Sequence, residues 1–218
     1  MSERICQDTR VDFESALATA VAITGITQAS PGVVSYTDAG ASDPSDGNFV
    51  VFPGLEGMTE LRDRIARVAN VVGGSDTFEV EGIDTSLFGA FSSGNFNVIT
   101  FGTGASTFTD VTASGGDANF LEYGLIHDRV RRKIPTTFNN AEITFTSLFD
   151  LASATLNTLK SRFETSTLTG VRLTLNNGNI ILAYGYITAP LVPQGTSGEL
   201  VTTEVSFSAQ GFITGYAS

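Results

Sequence analysis

Residues 200–210 carry the cleanest alternation in the chain. Val201, Val205, Phe207 and Ala209 stand against Thr202, Glu204, Ser206, Ser208 and Gln210. Side chains along a strand point to opposite faces with period two, so this pattern predicts a strand with one apolar and one wet face. Residues 141–146 repeat it, with Ala141, Ile143 and Phe145 against Glu142, Thr144 and Thr146. Residues 171–175 and 179–188 flank Asn176-Asn177-Gly178, whose tolerance of positive φ makes it a hairpin turn. Residues 10–16 and 96–101 predict two further strands of the same body.

Between those last two the texture changes. Strands are predicted at 22–26, 32–36, 49–52, 64–72 and 77–81, separated by turn clusters such as Ser42-Asp43-Pro44-Ser45-Asp46-Gly47 and Gly73-Gly74-Ser75-Asp76. Five short strands in about seventy residues describe a small β module with its own core, over 23–94. The main body is then 1–22 plus 95–218, and the module is an insertion in it.

One helix is predicted, over about 147–164. Ser147 and Asp150 have the spacing of a capping box, and Leu148, Leu151, Leu156, Leu159 and Phe163 fall near helical spacing on one side. Such a stripe needs a sheet or a neighbouring subunit to cover it. Residues 102–135 show scattered Gly, Asp and Thr with little periodicity, and predict a long arm. The arm ends in His127-Asp128-Arg129-Val130-Arg131-Arg132-Lys133, which reads either as a solvated turn or as a contact arm. The fold class expected is mainly β: an antiparallel sandwich or half-barrel with one packed helix, plus the inserted module.

Composition supports a β protein. The 218 residues are 41% hydrophobic and 16% charged, with 23 Gly, 16 Phe and no Trp. No apolar run approaches the ~20 residues of a membrane span, and Met1-Ser2-Glu3-Arg4 lacks the apolar stretch of a secretory signal, so a cytosolic origin without membrane insertion is expected. The net charge is −11, of which the 23–94 module with ten acids and three arginines carries −7. A chain so acidic repels nucleic acid by default.

Candidate chemistry is sparse. One cysteine, Cys6, and one histidine, His127, make neither an internal disulfide nor a Cys/His metal cluster, and both read as incidental or structural. Neither Lys133 nor Lys160 sits in a phosphate-binding loop, Gly102-x-Gly104 lacks the third glycine of a dinucleotide fingerprint, and no G-x-S-x-G elbow occurs. Among 23 acids a coincidental carboxylate pair is expected and carries no information. The Asp43–Gly47 cluster lacks the twelve-residue frame of a calcium loop. No catalytic residue, cofactor or metal is therefore predicted.

Two stretches carry a resemblance. The first is Ile23-Thr24-Gly25-Ile26-Thr27, Pro31-Gly32-Val33-Val34, Asp46-Gly47, Val51-Phe52-Pro53-Gly54, Gly57-Met58-Thr59-Glu60-Leu61 and Thr77-Phe78-Glu79-Val80-Glu81-Gly82-Ile83-Asp84, similar to a small β module of phage tail proteins. Arg62-Asp63 stands where that pattern has Asn-Gly. The second runs Leu121-Glu122-Tyr123-Gly124-Leu125-Ile126-His127-Asp128, Ile134-Pro135, the helix, the Asn-Gly hairpin and Gly198-Glu199-Leu200-Val201-Thr202-Thr203-Glu204-Val205-Ser206-Phe207. Its order resembles the major tail tube proteins of long, flexible-tailed bacteriophages.

The resemblance implies a structural virion protein, built into the tail from hexameric rings that stack into a tube and conduct DNA at ejection. It implies as partners further copies of the chain, a tape-measure protein, tail-tip and terminator proteins, and passing DNA without specific binding, with assembly in the host cytoplasm. The polar faces then become a candidate channel lining: Glu142, Thr144, Thr202, Glu204, Ser206 and Ser208. Arg129, Arg131, Arg132 and Lys133 become a candidate ring-stacking arm. The alternatives are a carbohydrate-binding or adhesive β-sandwich of a tail or cell surface, which the absence of Trp weakens, and a glycosidase.

Overall fold

The alternation read from the sequence becomes a run of antiparallel strands in the computed structural model, which describes residues 9–37, 40, 43–102, 104, 107–127 and 129–217. Cys6 and Asp128 lie outside the described residues. Strand β1 (Arg10–Leu17) leads into β2 (Val21–Ile26), β3 (Val33–Tyr36), β4 (Phe49–Val51), β5 (Ile65–Val72), β6 (Thr77–Val80) and β7 (Asn95–Phe101).

Strands this short cannot bury an apolar face alone. They solve the problem by closure: the order β2-β3-β6-β5-β4-β7 returns to its start because β7 also pairs with β2, Val21 opposite Phe96. The result is a six-stranded barrel with paired edges. Its core holds Val34, Phe52, Leu61, Phe78, Val80 and Phe96, and the Phe78 and Tyr36 rings stand 5.2 and 5.5 Å from Phe96 in edge contacts. The 23–94 segment supplies five walls; β7 supplies the sixth.

Beyond the barrel come β8 (Phe108–Gly115), β9 (Ala118–Tyr123), β10 (Arg132–Phe138), β11 (Ala141–Leu148), helix α1 (Ala154–Glu164), β12 (Thr169–Thr174), β13 (Ile180–Thr188), β14 (Thr202–Ala209) and β15 (Thr214–Tyr216). The sheet continues from the barrel as β7-β1-β12-β13-β14-β11-β8, with β15 beside β13. One face of it is apolar: Phe13, Ile143, Phe145, Val171, Ala183, Val205 and Phe207 are buried together with Leu156 and Leu159 of α1. The fold is thus mainly antiparallel β with one packed helix, as the sequence predicts.

The helix starts later than its apolar stripe suggests. Ser147 and Leu148 belong to β11, where the buried Ser147 hydroxyl lies 2.9 Å from that of Thr107. Asp150 accepts from the Ala152 N–H and forms a turn, and the true N-cap is Ser153, whose side chain accepts from the Leu156 N–H. Leu156 and Leu159 are buried, whereas Leu151 stays largely exposed and Phe163 partly so. Strand alternation carried on past Thr146 and overrode the weak cap.

The opposite sheet face is half covered. Leu182, Tyr184 and Tyr216 pack against Val51, Ile65 and Ile99 of the barrel. Gly170 permits this approach, since a Cβ there would meet the Ile65 and Ile99 methyls at 3.3 and 3.4 Å. Polar contacts lock the junction: the Arg64 Nε donates to Thr214 Oγ1 (2.8 Å), and the Arg67 N–H donates to the Tyr216 hydroxyl (2.8 Å). Burial lowers the Arg64 pKa and raises that of Tyr216, and it pushes the Tyr184 hydroxyl up to about 12.

Asp63 in the same junction has φ 54°. Burial raises its carboxyl above the ordinary range against the opposing pull of Arg62. The folded form therefore holds this proton more tightly than the unfolded form, and stability falls as pH rises through the interval above the ordinary Asp value. Asp63→Asn keeps a side chain suited to positive φ and has no charge to bury. Its melting temperature at pH 7 should exceed that of the parent by a few degrees, the gap closing below pH ~3.9. A lower melting temperature at pH 7 would show that the carboxylate is instead a favourable contact.

Candidate functional site

The bare part of the second sheet face is polar, and its strands hold it in register. On β11 and β14 the pairs are Glu142 with Ser208, Thr144 with Ser206, Thr146 with Glu204 and Leu148 with Thr202. Residues paired across an antiparallel ladder share a face. Glu142, Thr144, Glu204, Ser206 and Ser208 therefore form one patch, with Thr202 at its border, while Ile143, Phe145, Val205 and Phe207 point into the helix-covered core. Glu142 and Glu204 are exposed, and Thr144, Thr202, Ser206 and Ser208 are half-buried.

The patch extends beyond what the sequence pattern identified. On one side β8 sets Ser114, Thr112 and Asp110 opposite Glu142, Thr144 and Thr146. On the other, β13 sets exposed Tyr186 and Thr188 opposite Ser208 and Ser206. The alternation of β8 was masked by Gly, Ser and Asp around it, and Tyr186 and Thr188 sit in a strand whose other residues on that face meet the barrel. Four adjacent strands thus present hydroxyls, three carboxylates and one phenol.

The segment 102–135, expected to lack regular elements, is largely strand. Strands β8 and β11 form a paired ribbon that continues outward as β9 and β10, Phe138 opposite Ala118 and Arg132 opposite Tyr123. The ribbon bends where the two parts meet. Gly115 and Gly116 have φ 80° and 79°, and a Cβ on Gly115 would come 2.2 Å from the Asn140 carbonyl oxygen, so the bend requires glycine there. The sequence hid these strands because neither face is buried: nearly every residue of β9 and β10 is exposed, and without a core there is no period-two signal.

The basic arm residues lie at the far end of this ribbon. Lys133 Nζ is 2.8 Å from one Glu122 carboxylate oxygen, and Arg131 is 3.9 Å from the other. Arg132 is opposite Tyr123 on β10, and Arg129 is in the exposed tip loop. The tip also exposes Leu125, Val130 and, fully, Ile126. An apolar knob rimmed by cations suits a protein partner better than water.

The chain contains a wet sheet face, an apolar face sealed by α1, a barrel seated beside it and a projecting ribbon. Among the described residues, no three His, Cys, Asp or Glu are grouped to hold a metal ion, and no helix is long and apolar enough to cross a membrane. No curated protein matches the chain. The family model described as phage tail tube protein, TTP, matches residues 56–218, from within the barrel through the arm, the helix and every strand of the wet face. The chain belongs to the phage tail tube protein family, and is a structural protein of the virion tail that assembles with itself into a tube.

Proposed function

We propose that this chain forms hexameric rings that stack into the tail tube and that the tube is the conduit for DNA at ejection. One observation carries the reading: the polar patch spans four neighbouring strands, β13, β14, β11 and β8, on the face away from α1. The patch ends at β8, the last strand of the sheet path. Pairing or abutting a neighbour's sheet at that edge would join the patches of successive copies into a continuous wall. A ring contact that closes uses up its edges; a contact between rings need not close and extends a filament.

Glu142, Thr144, Thr202, Glu204, Ser206 and Ser208 are proposed as channel lining, with Asp110, Thr112 and Ser114 beside them. A wall rich in Arg and Lys would release DNA counterions and hold the duplex, which carries one charge per ~1.7 Å of axis. Carboxylates and hydroxyls let it slide. The ribbon, with Arg129, Arg131, Arg132 and Lys133, is proposed as the stacking arm. The 23–94 unit is proposed as an insertion with its own core, accessory to the wall. A tape-measure protein inside the growing tube, and tip and terminator proteins at its ends, complete the partners, with assembly in the host cytoplasm. No step of this role calls for catalysis or a cofactor.

Negative-stain images of the concentrated purified protein should show six-fold rings and hollow filaments; a monodisperse monomer at high concentration excludes the reading. Glu142→Lys with Glu204→Lys should leave tubes of normal length and diameter while slowing DNA release from purified virions several-fold, followed with a DNA-binding dye. Unchanged release would remove these residues from the lumen.

A further inference from the structure

A groove lies at the base of the ribbon. It is a cavity of about 380 Å³ where the barrel, the bend and the turn after β14 meet, lined by Thr59 and Arg62, by Phe138 and Ala141, and by Phe212 and Ile213. The Phe138 and Phe212 rings meet edge to face at 5.9 Å, yet both side chains and Ile213 remain substantially exposed. The walls are firm. Gly211 packs so tightly on the barrel that a Cβ would come 2.2 Å from the Asp63 carbonyl oxygen, and the Arg62 Nε is fixed on the Leu55 carbonyl at 2.7 Å.

We propose that this groove is the receptor for the arm tip of a second copy of the chain, with Leu125, Ile126 and Val130 entering it. The inference rests on the stacking role proposed for the arm and names the surface that the arm meets. Three observations support it. First, the tip and the groove are both exposed apolar surfaces on one chain, and the family assembles this chain with itself. Each alone is a liability in a monomer; each covers the other in a polymer.

Second, the charges are complementary. Residues 124–133 carry a net +3, which leaves −14 on the rest of the chain. Glu60 and Asp117 follow the lining residues Thr59 and Gly116 in sequence, and the one cation in the lining, Arg62, has its Nε held by the Leu55 carbonyl. Such a pairing steers encounter and opposes tip-to-tip contact. Third, the arm cannot serve its own groove. The seven residues of β10, at ~3.3 Å each, hold the tip loop about 20 Å from Phe138. Knob and hole at opposite ends of one ribbon form a heterologous contact, which propagates from copy to copy.

The test uses two full-length chains in a Cys6→Ser background, one with Ile126→Cys and the other with Phe212→Cys, mixed, assembled and mildly oxidised. A disulfide-linked dimer is expected in the mixture at several times its level in either chain alone. Ile213→Cys replaces Phe212→Cys if the latter does not assemble. Tubes whose Ile126→Cys chains cross-link no better to the groove cysteine than to Leu87→Cys, an exposed position on the barrel loop, overturn the proposal. Ile126→Asp separates the two levels. If it abolishes tubes while no groove cross-link forms, the arm stacks copies through another surface. If its tubes are normal, the stacking role and the groove assignment both fall.

Discussion

Glu14→Ala is expected to lower the unfolding free energy of the unassembled chain by about 3–5 kcal/mol, the range for breaking a buried ion pair by removing one partner. The Glu14 carboxylate is almost wholly buried. Its Oε1 accepts from Arg162 Nη1 (3.0 Å) and its Oε2 from the Gly170 N–H (3.0 Å). Arg162 also donates to Thr169 Oγ1 (3.0 Å) and to the Glu14 carbonyl (2.9 Å). One carboxylate therefore ties α1 to β1 and β12. Without it a mostly buried guanidinium loses its counter-charge and a buried N–H loses its acceptor. Glu14→Gln, still able to accept from Gly170, should cost less. Glu14→Leu combined with Arg162→Met should recover most of the loss, because two apolar groups leave no charge unpaired. Urea midpoints at constant slope measure all three. A double variant no more stable than Glu14→Ala would show that the pair does more than satisfy itself.

Replacing residues 116–140 by Asn-Gly should abolish tubes altogether and leave unfolding of the monomer within about 1 kcal/mol of the parent. Gly115 and Ala141 face each other across the ladder, so a two-residue turn closes β8 onto β11 without breaking a pairing. The excised β9 and β10 bury almost nothing in the monomer, and their main contact with the rest of the chain is the ring pair Phe138–Phe212. On this expectation stability and assembly are carried by different residues. Tubes of normal length from the shortened chain would deny the arm any part in stacking; a large loss of stability would show that the ribbon supports the sheet. Sedimentation with electron microscopy reads the first outcome, and thermal unfolding the second.

The two predictions differ in how far the sequence could lead to them. The alternation at 141–146 and 204–209 identified two strands, their buried faces and their wet faces, because a core on one side imposes period two; Val201, expected on the buried face, lies before β14 and is exposed. Ser206, Ser208 and Glu204 could be named as one face for that reason. The Glu14–Arg162 pair had no such signal: the partners stand 148 positions apart, and only folding brings α1 over β1. The helix boundary failed where two patterns competed. Leu148 suits either the end of a strand or the start of a helical stripe, and pairing with Thr202 decided for the strand. The ribbon was invisible because exposure on both faces removes the pattern.

The sequence by itself determined a mainly β chain with one helix, a wet-faced sheet, an acidic segment at 23–94 and a basic arm, since each depends on local composition or short periodicity, and the order of its motifs carried the family resemblance. Only the tertiary structure decided that β7 closes the barrel, that β8 and β13 widen the polar patch, and that the arm is a bent ribbon with an apolar groove at its base. Those features depend on which distant segments pair, and pairing minimises exposed apolar surface and unpaired backbone over the whole chain, a sum that no short window contains.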